Sequence, residues 1–182
     1  MTCILGLEHN GKVYMGADSS AVSGYDGFKS RLKKVFRRGP FLIGYTTSFR
    51  MGQLLQYDLN LSGLLIEPTD DLEFMSTAFI TAVRDCLKAG GYAKIDNGTE
   101  EGGQFLVGFR GRLYSIGSDF QVNSSHDGYM AIGAGFAYAL GALEILLNWQ
   151  HDQPERNVIS ALQASGHFSV GVSQPYYVEV LA

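Results

Sequence analysis

The chain opens with short apolar runs and alternation, not with helical periodicity. Residues 2–7 are apolar and partly β-branched, His9-Asn10-Gly11 is a turn signal, and residues 12–18 resume the extended pattern, which predicts two strands. Residues 19–27 are small and polar and predict a loop. Between Lys29 and Arg38, six basic residues are interleaved with Leu32, Val35 and Phe36, which predicts a strand, and residues 40–45 predict a short buried one. Helical spacing then takes over at residues 51–59. A second helix starts after Asp70, a suitable N-cap with Glu73 three residues on. Its apolar positions Met75, Phe79, Val83, Cys86 and Leu87 share one face, and Gly90-Gly91 ends it.

The second half repeats this order. Residues 90–103 are glycine-rich and polar, a loop, and strands follow at 104–109 and 112–116 around an Arg110-Gly111 turn. Residues 129–132 predict another strand, closed by Gly133-Ala134-Gly135. The helix expected over 136–149 is apolar nearly all round, which predicts a central, buried element whose excess apolar surface would serve subunit contacts. A further helix carries Asp152 or Gln153 near its cap, Pro154 in its first turn and Gly166 past its end, and residues 176–181 form a last strand. Strands, two helices, strands, two helices and a strand predict two mostly antiparallel sheets covered by helix pairs, a layered α+β arrangement in a single domain over 1–182. The final strand is expected to pair beside the first.

Composition narrows the function. At 182 residues, with 46% hydrophobic and 18% charged positions, the chain has enough apolar material for a packed domain. No apolar run reaches the ~18–20 residues of a membrane helix and no signal-peptide pattern opens the chain, so no membrane partner is expected. A net charge of −4 argues against nucleic acid, and the basic run at 29–38 reads better as a strand with one active-site Lys. Cys3 and Cys86 cannot form a disulfide framework, which points to a reducing cytoplasm. His9, His126, His151 and His167 show no metal-ligand spacing, so neither metal nor cofactor is expected. Phosphate-loop, zinc and nucleophile-elbow motifs are also lacking.

The chemistry that remains is at the start of the chain. Removal of Met1 alone would leave Thr2 with a free α-amine beside its own hydroxyl. An α-amine has a pKa of ~7.7–8.0, so one residue supplies both nucleophile and base. A nearby Lys eases deprotonation of the hydroxyl, and an Asp holds that Lys. Trimming two residues would instead expose Cys3 as the nucleophile, although its place on the first strand reads as core. Asp18 follows Thr2 by sixteen residues, and Lys34 follows Asp18 by sixteen more.

Thr2, Gly16-Ala17-Asp18 and Lys33-Lys34-Val35 at those intervals resemble the proteasome β-subunit and HslV group of N-terminal-nucleophile hydrolases. The likeness continues through Ile43-Gly44-Tyr45, through Ala131-Ile132-Gly133-Ala134-Gly135 with Tyr138-Ala139-Leu140, and to Tyr177-Val178-Glu179. It implies a four-layer αββα sandwich and a homo-oligomeric ring that cleaves peptide or unfolded-protein substrates, with an AAA+ unfoldase as partner. It also implies Thr2 as nucleophile, with Lys34 and Asp18 as electrostatic support. Tyr45, Thr47, Ser48 and Phe49 would line the substrate or the oxyanion, and Gly133, Ala134, Gly135 and His167 would support them. Three positions depart from the family pattern: Ala134 replaces the Ser of Gly-Ser-Gly, Thr47 replaces the oxyanion-hole Gly, and His167 replaces a supporting Asp. Those departures leave two alternatives open, a ring-forming scaffold with an impaired site and an amidase acting on a small amide.

Overall fold

Tight turns set the register of the first sheet. β1 (Cys3–His9) and β2 (Lys12–Ala17) meet through Asn10 and Gly11, both at positive φ, the two-residue turn whose twist matches the strands it joins. The computed structural model describes residues 2–24, 26–64, 68–150 and 152–182; Met1, whose removal is expected, and His151 lie outside the described residues. After β2 come β3 (Ser20–Ser23) and β4 (Asp26–Lys29), a small hairpin where the sequence predicts a loop. β5 is shorter than the strand expected over the basic run, Val35–Arg38 only, so Lys34 stands just ahead of it, and β6 is Phe41–Tyr45. Ser48 caps α1 (Phe49–Gln53), which widens into a π-helical turn at Leu54–Asp58. Asp70 caps α2 (Asp71–Phe74) by accepting from the N–H groups of Leu72 and Glu73; a second π-helical turn (Met75–Phe79) leads into α3 (Ile80–Ala89).

The glycine-rich stretch after α3 holds a second short hairpin, β7 (Lys94–Asp96) and β8 (Thr99–Glu101), turned by Asn97 and Gly98 at positive φ. β9 (Phe105–Phe109), β10 (Arg112–Ile116), β11 (Val122–Ser124) and β12 (Tyr129–Gly133) follow, then α4 (Phe136–Trp149), α5 (Pro154–Phe168) and β13 (Tyr177–Leu181). One sheet has the order β12-β1-β2-β13 and the other β11-β10-β9-β6-β5, all antiparallel. The last strand therefore pairs with β2 and not with β1, because β12 and β2 already occupy both edges of β1.

Three apolar clusters define four layers. Ile4, Val13 and Met15 meet Val35, Leu42 and Leu106 between the sheets. Cys3, Leu5 and Leu7 on the other face of β1 pack on Ala139, Leu143, Val158 and Leu162 of α4 and α5. Phe41, Phe105 and Phe109 pack on Phe74, Phe79 and Val83 of the other helix layer. The result is an αββα sandwich, the α+β class expected from the sequence.

α4 departs from expectation. Only Ala139 and Leu143 are fully buried, while Ile145 and Trp149 are 60% and 81% exposed. An outer layer offers a helix one sheet face and one neighbouring helix, so apolar residues on its far side stay exposed however apolar the sequence. Gly166 lies inside α5, which runs on to Phe168. Among the described residues no helix is long and apolar enough to cross a membrane.

The two sheets are in close contact at Gly44. A Cβ built there would stand 2.5 Å from the Met15 sulfur and 2.7 Å from Ile4 Cγ2. Gly44→Ala should therefore destabilise the fold by about 1–3 kcal/mol through overpacking, read as a lower urea midpoint at unchanged slope.

Candidate active site

β1 and β2 bring the start of the chain beside Asp18, the residue immediately after β2. Asp18 is fully buried, and both of its carboxylate oxygens are engaged. Oδ1 accepts from the backbone N–H of Cys3 at 3.0 Å and from the Lys34 ammonium at 3.0 Å. Oδ2 accepts from the N–H of Ser20 at 2.7 Å and of Ser173 at 3.3 Å. Backbone pairing closes the same corner, with Asp18 N–H donating to the Cys3 carbonyl at 3.4 Å. Lys34 is 1% exposed. Its N–H donates to the hydroxyl of Tyr177 on β13, which fixes the loop ahead of β5. Burial pushes the Lys34 amine below the usual lysine range, and the Asp18 carboxylate pulls it back up.

Thr2 is 6% exposed and lines a pocket of about 70 Å³ with Lys34, Tyr45, Thr46, Thr47, Ser48 and Phe49. The structure thus gathers most of the residues that the sequence singles out. Gly133, paired with Cys3 and at φ +88, lies against the Thr2 carbonyl, where any Cβ would collide. Thr47 holds the conformation normally left to glycine: its φ is +68, and Ser48 N–H donates back to the Thr46 carbonyl at 2.7 Å in a three-residue turn. A β-branched residue held there stores on the order of 1–3 kcal/mol of strain. β-branching disfavours this conformation, and the chain adopts it at Thr47 nonetheless. Among the described residues, the Thr47 N–H has no partner in the chain.

Two supporting residues lie elsewhere. Ala134 joins the apolar cluster beneath α4 and α5. His167 is exposed on the last turn of α5, edge-on to Phe168 at 4.7 Å, and is not brought to the pocket. From the same turn it is Ser165, fully buried, whose hydroxyl donates to the Gly135 carbonyl at 3.0 Å. Burial pushes the Cys3 thiol up to about 11, with a Ser165 hydrogen bond opposing that shift, so Cys3 remains a protonated core thiol. Ser165, Ser173 and Tyr177 are absent from the sequence-based site. Ser173 and Tyr177 reach it from more than a hundred residues away, and only Ser20, two residues past an Asp, carries a local turn signal. Among the described residues no cluster of His, Cys, Asp and Glu could hold a metal ion.

No protein-family model and no curated protein sequence matches the chain. Solved structures do. BPH of Thiobacillus denitrificans, in complex with epoxomicin, superposes with a TM-score of 0.82 over 99% of both chains at 17% identity. Eukaryotic HslV from Trypanosoma brucei gives a TM-score of 0.69 over 98% of both chains at 19% identity. Anbu (ancestral beta-subunit) from Yersinia bercovieri gives 0.71 over 98% of this chain and 81% of its own, at 14% identity. The likeness is one of fold: the chain has the αββα sandwich of HslV- and proteasome-like N-terminal-nucleophile hydrolases.

Removing one member of a buried ion pair strands the other. Asp18→Asn should destabilise the protein by about 3–5 kcal/mol, and adding Lys34→Met should recover part of that loss, both read by urea denaturation. Tyr45, in the pocket wall, has its phenol pushed up to about 12 by burial. The folded state therefore favours the neutral phenol, and this contribution is complete below pH 10 and lost as the pH rises towards 12. Tyr45→Phe should flatten the alkaline limb of the urea midpoint plotted against pH.

Proposed function

We propose that the protein is a threonine endopeptidase of the HslV and proteasome type. The observation that carries this reading is the buried Lys34–Asp18 pair, whose shared Oδ1 also holds the N–H of Cys3, one residue from Thr2. Support comes from Lys34 and Thr2 lining one pocket and from the backbone next to Thr2 being tied to Asp18.

In this reading Met1 is removed and the Thr2 α-amine is free. The Thr2 hydroxyl oxygen attacks the carbonyl carbon of a peptide bond while the amine takes its proton. Negative charge forms on the carbonyl oxygen, where the Thr47 N–H, unpaired among the described residues, donates to it. The amine returns the proton to the leaving nitrogen, the C–N bond breaks, and an ester on Thr2 remains. Water then attacks that ester, with the same amine as base, and frees the acid and the Thr2 hydroxyl. Lys34 keeps the amine unprotonated by like-charge repulsion, and Asp18 holds Lys34 in place. No metal or cofactor takes part.

The proposal extends to a homo-oligomeric ring that encloses unfolded-protein substrate in the cytoplasm, with an AAA+ unfoldase as partner. The fold shared with HslV supports this. A second reading, a ring-forming scaffold with an impaired site, draws support from Ala134 and from the exposure of His167.

Intact mass and turnover of a fluorogenic peptide separate the two. The peptidase should lose Met1 on expression, and Thr2→Ala or Lys34→Ala should each lower kcat at least ~10³-fold, as removal of a nucleophile or its activating group does. Retention of Met1, or unchanged turnover in either variant, rules it out.

A further inference from the structure

At Thr47 the sequence departs from the proteasome-like pattern, and the backbone there is left-handed. The side chain is not idle there. Its Oγ1 accepts from the backbone N–H of Gln104 at 3.2 Å, and the Gln104 carbonyl accepts from Thr46 N–H at 3.1 Å. Two hydrogen bonds thus clamp the turn 46–48 onto the residue that leads into β9. Among the described residues, Thr47 Oγ1 is the one partner of the Gln104 N–H. The neighbouring chain leaves room for the side chain: a Cβ on Gly103 would stand 3.1 Å from Thr47 Cβ and 2.6 Å from the Met51 sulfur. On the other side of the turn, Ser48 leads into α1 by accepting from Arg50 N–H at 3.1 Å. The turn is therefore held by Gln104, just ahead of β9, on one flank and by a capped helix on the other.

We propose that Thr47 is a positioning residue whose hydroxyl, by holding the turn against Gln104, keeps the Thr47 N–H directed at the oxygen of a substrate carbonyl bound beside Thr2. This rests on the peptidase reading above and goes beyond it, because it gives the side chain a role. A glycine would reach the same φ without strain, but it would sample other conformations and would lose the clamp. Threonine trades backbone comfort for a turn with one geometry, which is what a preformed oxyanion donor requires.

Four proteins decide it: wild type, Thr47→Ser, Thr47→Ala and Thr47→Gly. Thr47→Ser keeps the hydroxyl and should turn over a fluorogenic peptide within ~3-fold of wild type. Thr47→Ala and Thr47→Gly should lose about 10–100-fold in kcat, the usual cost of a lost supporting contact, with KM within ~3-fold. Amide hydrogen exchange at Gln104 should quicken in Thr47→Ala and Thr47→Gly but not in Thr47→Ser. Alanine turnover equal to that of wild type, or a glycine variant faster than wild type, overturns the proposal, because the side chain would then be neutral or an obstruction. Unchanged exchange at Gln104 in Thr47→Ala overturns it as well. If the wild-type protein cleaves no peptide, the peptidase reading falls, and the exchange comparison still decides whether the hydroxyl holds the turn.

Discussion

Asp18 is wholly buried, and its carboxylate accepts from three backbone N–H groups and from the Lys34 ammonium. A carboxylate removed from water costs several kcal/mol unless its lone pairs are filled, and here each oxygen accepts two hydrogen bonds. The donors come from β1, from the first residue of β3, from the segment ahead of β5 and from the loop ahead of β13. Four separate stretches of chain are thereby fixed to one another within hydrogen-bond distance. The same carboxylate that neutralises Lys34 also sets the position of the backbone next to Thr2, so electrostatics and geometry at the candidate site have one origin.

The layers exist to make that meeting possible. Apolar side chains on both faces of β1 and β2 bury against the second sheet on one side and against α4 and α5 on the other. This leaves the ends of the strands as the places where polar groups can converge. Gly44 and Gly133 allow the sheets and the chain start to approach more closely than a Cβ would permit. At Thr47 the requirement for a left-handed residue is met without glycine, by a side chain hydrogen-bonded to Gln104. The strain there is balanced by packing and hydrogen bonding on both flanks of the turn.

Much of this is legible in the sequence. The Asn10-Gly11 and Arg110-Gly111 turns, the Asp70 cap and the apolar face of α3 are local signals, and each appears where its residues predict. The intervals from Thr2 to Asp18 and from Asp18 to Lys34 pointed to the pair that the structure brings together. Polar composition hides the two short hairpins: β4, β7 and β8 bury little, so these stretches lack the alternation that marks a strand. The apolar composition of α4 predicts a central helix, but composition does not say how many neighbours a helix has.

The sequence by itself determined most of the elements and the layered α+β class, because periodicity, capping and turn chemistry act over a few residues; the αββα order came from the likeness of the Thr2, Asp18 and Lys34 motifs to HslV. Only the tertiary structure decided which strand covers β2, that Ser173 and Tyr177 complete the polar corner, and that Ser165 and not His167 reaches Gly135. Those contacts join residues far apart in the chain, and they depend on the angle and register at which the layers pack. No local pattern encodes that angle. The left-handed Thr47 belongs to the same class, since it runs against the residue's own preference and accompanies hydrogen bonds to Gln104 on one side and the Ser48 cap of α1 on the other.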